Sequence, residues 1–335
     1  MKFLLRFIII AAALWAGYWF VGASGSKAGF EAWFEQQRSR GMTAEYSDFA
    51  VQGFPNRFDA GFSDIFLADP RSGMAWKAPF FQILALSYKP NHLIAVWPDS
   101  QTLTTPDDIF EITSEDMRAS LKLEPNTRLG LKGAVMTVDR LVVAPTRQAI
   151  EPTSVEKMTL AVEHVADTPT SYRLGLAAAG ITPAAALVTQ IDPERTLPKQ
   201  VSEISADIAV RFDRPWDRKA LEGALPQPRH IEITKVEARW GRLRLNASGA
   251  LEIDASGIAT GEIRIKARNW RDIIALAVSA GALTEGAAGP VEKALGLMAQ
   301  SADDPEAVDI PLRFEQGFVF LGPVSLGPVP ALILR

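Results

Sequence analysis

The sequence predicts an α+β protein that is predominantly β: an N-terminal transmembrane helix, then a large curved antiparallel sheet or sheets packed on C-terminal helices. Three observations carry this. Lys2 and Arg6 precede an uncharged run from Phe7 to Ser26, which at about 1.5 Å per residue reaches roughly 30 Å, the thickness of a bilayer core. From Thr43 to about Ala267, apolar residues recur with period two between clusters of Pro, Gly, Asn and Asp, as antiparallel strands do. After Asn269 the period becomes helical.

The bulky members of the first run are Phe7, Ile8, Ile9, Ile10, Leu14, Trp15, Tyr18, Trp19 and Phe20. A short basic start favours keeping that end in the cytoplasm. The expected location is the inner membrane, single-pass, with the main body in the periplasm. A signal peptide cleaved at Val21-Gly22-Ala23 is the rival reading and also gives export. Tyr18, Trp19 and Phe20 suit the aromatic belt of a membrane surface better than a peptidase groove. Residues 1–26 are read as the anchor and 27–41 as a linking amphipathic helix. A first β-rich half follows over 42–180, and a second over 181–335 carries two C-terminal helices. In the linking helix Phe30, Trp33, Phe34 and Gln37 share one face, and Gly41 ends it. Its polar face is not basic, so the aromatic stripe is expected against the first strands rather than on lipid.

With 47% hydrophobic and 22% charged residues in a chain of 335, the exported part is long enough for a large core and one or two domains. Beyond Lys2 and Arg6 it holds two fewer than the 35 basic residues against 39 acidic ones, a net charge of −6. That sign argues against nucleic acid and anionic headgroups as main partners. The absence of cysteine excludes disulfides, thiolate nucleophiles and thiolate metal sites.

Among the strands, Phe58, Ala60 and Phe62 alternate with Asp59 and Gly61. Phe81 to Tyr88 and His92 to Trp97 flank the turn Lys89-Pro90-Asn91. This hairpin is apolar on both faces, so at least one must be covered by helices, a second layer or lipid. The meander continues through Ile109–Thr113, Arg118–Glu124, Arg128–Leu131, Val135–Val143, Met158–Val162 and Arg173–Leu176. The Ala-rich stretch from Ala177 to Pro198 reads as a short helix over Pro183–Gln190 or a mid-chain connection. Then come a strand over Ile204–Phe212, a short helix over Asp217–Leu225 and a one-sided ribbon from Ile231 to Ala267. Glu262, Arg264 and Lys266 occupy the ribbon's polar side. Asn269-Trp270-Arg271-Asp272 has the spacing of a helix N-cap, and a second helix carries Val291, Ala294, Leu295 and Met298 on one face. Strands around Ile310–Phe314 and Phe318–Leu321 and a Pro-rich tail close the chain.

Several segments together suggest a family. They are Gly53-Phe54-Pro55-Asn56-Arg57-Phe58, Trp76-Lys77-Ala78-Pro79, Tyr88-Lys89-Pro90-Asn91-His92 and the terminal run Phe314 to Pro323. Over nearly its whole length the chain resembles the bacterial domain-of-unknown-function family 2125. That resemblance implies an envelope protein and lends no catalytic residues. The turns Ser248-Gly249-Ala250-Leu251 and Gly257 to Ile263 are also similar in style to AsmA-like proteins, which implies an inner-membrane anchor, a β-rich body and a part in lipid traffic or outer-membrane assembly.

The common catalytic signatures are missing: no Gly-x-Ser-x-Gly, no His-Glu-x-x-His, no phosphate-binding or dinucleotide glycine loop. Ser24 to Lys27 and Ser154 to Lys157 match Ser-x-x-Lys without the motifs that chemistry requires. His92, His164 and His230 stand apart from one another, and the acidic cluster Asp107 to Asp116 is interleaved with Ile109, Phe110 and Ile112 as in a strand between solvated turns. No cofactor, metal or catalytic residue is assigned. The expected function is non-enzymatic: an apolar groove that binds lipid, or a client protein, for envelope biogenesis or lipid transport. Candidate groove residues are Phe81, Ile83, Leu84, Leu86, Leu93, Val96 and Trp97. The alternatives are an envelope hydrolase using a carboxylate pair, from Asp107–Asp116 or Asp213 with Asp217, and a partner-binding platform in an assembly complex.

Overall fold

A computed structural model describes residues 1–147, 150–193, 195–281, 283–300 and 306–334. The side chain of Met298 lies outside the described residues. The fold is mostly β, with a long apolar helix at its start, and it divides into two compact units. The first comprises Met1–Pro125 and the chain from Met136; the second comprises Asn126–Val135 and the chain from Ile150 onward.

In the first unit, helix α1 (Lys2–Ser39) is continuous and ends where Gly41 takes a φ of +86°. Among the described residues it is the one helix long and apolar enough to cross a membrane. Trp15, Tyr18, Trp19, Gly22, Ala23, Phe30, Phe34 and Arg38 form a single stripe along it at helical spacing. Only Trp19, Ala23 and Phe34 on this helix are buried. Gly22 is required in the stripe, because a Cβ there would lie 2.4 Å from the Cζ of Phe58.

Strands β1 (Thr43–Glu45) and β2 (Asp48–Gln52) both pair with β3 (Arg57–Asp69), which pairs with β4 (Met74–Leu86). The second half of β4 pairs with β5 (Lys89–Val96) and its first residues with β6 (Ser100–Thr104). Strand β7 (Ile109–Thr113) joins β6, β8 (Asp116–Leu123) joins β5, and β9 (Leu131–Pro145) joins β7, all antiparallel. Inward side chains of β3 run Phe58, Ala60, Phe62 and then Ile65, because Asp64 at φ +49° interrupts the alternation. The core beneath α1 gathers Phe34, Phe49 and Phe62, with Phe49 stacked on Phe62 at 4.4 Å between ring centroids. Each such ring stabilises the fold by about 1.5–3 kcal/mol through burial.

The second unit is an unbroken antiparallel meander. Strands β10 (Thr153–His164), β11 (Ser171–Thr182), β12 (Val201–Phe212), β13 (Pro228–Trp240), β14 (Leu243–Ile253), β15 (Ala259–Arg268), β16 (Ala307–Glu315), β17 (Phe318–Leu321) and β18 (Val324–Pro328) each pair with the next. Helix α2 (Ala185–Ile191) precedes β12, and α3 (Arg218–Glu222) follows it. Helices α4 (Trp270–Ser279) and α5 (Glu285–Gln300) pack Trp270, Val291 and Leu295 onto Ala267, Val308 and Leu321.

The structure corrects five readings. The turn of the β4–β5 hairpin is Ser87-Tyr88 and not Lys89-Pro90-Asn91, because Leu86 pairs with Lys89, where β5 begins. Ser248-Gly249 is not a turn but lies inside β14, with Gly249 paired to both Ile233 and Ile263. Arg128–Leu131 is not a strand of its own: the Asn126 side-chain carbonyl accepts the amides of Arg128 and Leu129, making a turn, and β9 starts at Leu131. Ala177–Thr182 is not connection but the end of β11, held by pairing with Val201–Ser205, so tertiary pairing outweighs alanine's weak strand preference. Asn269 does not cap α4 with its side chain. It adopts a left-handed φ of +57°, and its amide donates instead to the Arg242 carbonyl at 2.7 Å.

Two of the ribbon's glycines lie within strands, for a steric cause. Gly249 (φ +145°) and Gly261 (φ +147°) face the next strand so closely that a Cβ would meet the carbonyl oxygens of Glu262 and Ala250 at 2.2 and 2.3 Å. Gly249→Ala is expected to lower the unfolding free energy by about 2–4 kcal/mol, from backbone strain plus overpacking. Urea unfolding of the detergent-solubilised chain checks this, and an unchanged midpoint contradicts the steric reading.

Candidate functional site

Beneath α1 the first unit carries an apolar cavity of about 580 Å³ that is open on one side. Its helix side is Ser26, Gly29, Phe30 and Trp33; its sheet side includes Ile65, Leu67, Trp76, Phe81, Ile83 and Leu93. Helical spacing puts the first group on one face, and strand alternation puts Phe81 and Ile83 on the inner face of β4, opposite Phe62 and Ala60. Leu93, paired with Ala85, shares that face. Ser26 is the one polar side chain among these lining residues. The indole N–H of Trp76 is turned away to donate to Gln101 Oε1 at 2.7 Å. Such a lining excludes charge and suits an apolar chain, within the usual 300–1,000 Å³ of ligand pockets.

Of the seven groove candidates, Phe81, Ile83 and Leu93 come together at this cavity. Trp97 stands behind them, its ring 5.2 Å from that of Phe81. Leu84 and Val96 belong to the opposite face of the hairpin, the face of Gln82, while Leu86 lies at the end of β4 and is exposed. Of the helix half of the lining, Phe30 and Trp33 belong to the aromatic stripe legible in the sequence, whereas Ser26 and Gly29 carry no such signal, and nothing in the spacing says that space remains beside them.

A second apolar cavity, of about 630 Å³, lies within the second unit, lined by Tyr172, Leu174, Val210, Phe212, Trp216 and the tail from Ala331 to Leu334. The tail is tied down. Leu332 N–H donates to Gly257 O, and Gln227 both donates to Leu334 O and accepts its N–H, each at 2.9 Å. The continuous apolar run Ala331-Leu332-Ile333-Leu334 after Pro330 is the sequence signal for this tail, beyond its prolines.

The ionisable groups considered for catalysis hold structure together. Asp217 caps α3 by accepting the amides of Lys219 and Ala220. Asp213 accepts the Gln227 amide at 2.9 Å and pairs with Arg214 and Arg229. Burial pushes its carboxyl upward, but that amide and the two guanidiniums outweigh it and hold it below the usual range. Buried Asp108 accepts the amides of Ile109 and Arg147, Glu115 pairs with Arg140, and Asp116 pairs with Arg118. His92 contacts the Ser120 hydroxyl, His230 contacts Glu252, and His164 packs on Tyr172. Ser154 and Lys157 fall on opposite faces of β10. No group of three or more His, Asp or Glu arranged to hold a metal occurs among the described residues.

The family described as an uncharacterized protein conserved in bacteria, domain of unknown function 2125, matches residues 19–330. The chain belongs to this family. The match begins inside α1 at Trp19 and runs through both units of this family-2125 protein. Neither a curated protein nor a solved structure matches it.

Asp217→Ala removes the α3 cap and is expected to cost about 0.5–2 kcal/mol, read as a lowered urea midpoint. Asp207 is held low by its hydrogen bond to Arg173, and Asp254 by the Ser256 hydroxyl and the Ile258 amide. With Asp213, these groups titrate lower in the folded chain than in the unfolded one. Their stabilising effect is therefore complete above the ordinary carboxylate range and fades as pH falls through the lower folded values. The urea midpoint is expected to be flat from about pH 8 to about pH 5 and to fall below about pH 4. Asp213→Asn should make that fall shallower, and an identical acid limb would contradict its role.

Proposed function

We propose that this protein is an inner-membrane-tethered envelope protein, N-terminus cytoplasmic and body periplasmic, whose first unit shelters a lipid acyl chain in the cavity beneath α1 during envelope biogenesis or lipid transport. One observation carries the reading. The helix that lines the cavity is the same uninterrupted helix that is apolar enough to span a bilayer, so bilayer and cavity share one apolar surface. The basic start at Lys2 and Arg6 supports the orientation. The apolar lining supports an acyl chain over a polar substrate. Phe81, Ile83 and Leu93 are its contacts from the sheet, backed by Trp97.

Gly29 offers a clean test, because a Cβ there meets nothing within 4 Å. Gly29→Phe is expected to fill the cavity and to recover part of glycine's helix penalty, about 0.4 kcal/mol, since Phe is a weaker helix former than Ala. The variant should be at least as stable as the parent yet carry less than about half its co-purifying lipid, since an apolar ligand and an apolar ring compete for one volume. Solvent extraction and mass spectrometry of the full chain purified in detergent give the readout. Parent protein that carries no lipid, or equal lipid in both, overturns the reading.

A further inference from the structure

The β body grips α1 inside the apolar run, not after it. Trp15 Nε1 donates to Pro55 O at 3.0 Å, Tyr18 Oη to Ser87 O at 2.6 Å and Trp19 Nε1 to Arg57 O at 2.7 Å. Trp15 lies eleven residues before Ser26, the end of that run, so the loop bonded to it sits roughly 16 Å short of the run's end. If the span instead starts as early as Phe3, twenty residues reach Gly22, and the same loop is still about 10 Å inside.

The loop is also built to leave water. Gly53 O accepts the amides of Asn56 and Arg57, and Asn56 O accepts the Ser87 amide. Together with the three aromatic donors of α1, these bonds satisfy the carbonyls of Gly53, Pro55, Asn56, Arg57 and Ser87 internally, as hydrocarbon requires and water does not. Beside exposed Asn56 and the Arg57–Asp59 ion pair, the surface around this bonded centre is greasy: Phe54 is 55% exposed, Tyr88 57%, Phe20 61% and Val21 74%. Phe20 and Phe54 lie 5.8 Å apart between ring centroids, so helix and loop form one patch, with exposed Lys89 beside Tyr88.

We infer that the tip formed by Gly53–Arg57 and Leu86–Tyr88 is immersed among the acyl chains of the leaflet facing the body. There Phe54 and Tyr88 are embedded as wedges, and Lys89 reaches back toward the lipid phosphates. The inference rests on α1 being the membrane tether and adds a second point of contact with the bilayer.

The chain has no cysteine, so single-cysteine variants report one site each. Phe54→Cys, Tyr88→Cys, Ile10→Cys and Ser72→Cys are spin-labelled in the full chain and reconstituted into phosphatidylethanolamine–phosphatidylglycerol vesicles. Collision with oxygen is then compared with collision with an aqueous nickel chelate. The labels at 54 and 88 are expected to show an oxygen-to-nickel ratio at least roughly fivefold above that at 72, as for groups buried several ångströms below the surface. A low ratio at both 54 and 88 with a high ratio at 10 overturns the immersed tip and leaves the tether standing. A low ratio at 10 as well overturns the tether and the tip together.

Discussion

Everything in the first unit depends on a helix surface on which a sheet can lie flat. The absence of a side chain at Gly22 lets Phe58 approach the α1 backbone, and Trp19 and Ala23 close around it. The three aromatic N–H and O–H groups of Trp15, Tyr18 and Trp19 then lock helix to loop by binding carbonyls, which fixes axial register more strictly than apolar packing can. A side chain at Gly22 would collide first with the Phe58 ring, which Trp19 and Ala23 hold in place.

The same stripe continues past Ser26, where Phe30 meets Phe49 and Phe62 edge-on and the cavity lies beside it, next to Gly29 and Trp33. Contact continues at Phe34, which is 2% exposed and meets Phe62 and Tyr46. Aromatic packing on both sides thus holds the helix away from Ile83 and Leu93, and the walls do not collapse because α1 is pinned at each end. The polar chemistry of the chain is committed elsewhere: carboxylates such as Asp192, Asp213 and Asp254 accept backbone amides at turns and caps. That disposition suits a scaffold with apolar interiors better than acid–base work.

Much of the architecture was legible because periodicity reports burial directly. The alternation of Ile204 to Phe212 and of Leu243 to Ala267 marked strands of the meander, and the shift after Asn269 marked α4. Reading failed where a local signal competed with a distant partner. Ala177–Thr182 looks like a linker until Val201–Ser205 lies beside it, and Asn269 looks like a cap until Arg242 offers its carbonyl. The cavity was half legible. Phe81, Ile83 and Leu93 stood out because the hairpin is apolar on both faces, yet alternation assigns no face to the helix. Leu84 and Val96 entered the candidate set although they point the other way.

The one-sidedness of β15 has a consequence for assembly. Its inner residues Ile265 and Ala267 meet the helical pair, while Glu262, Arg264 and Lys266 point outward, where Arg264 pairs with Asp309 of the neighbouring strand. A slip of one residue would turn those three charges toward Trp270 and Leu295. Docking of α4 and α5 therefore proofreads the pairing: a misaligned ribbon offers the helices no greasy seat, and only a correctly zipped one can be sealed.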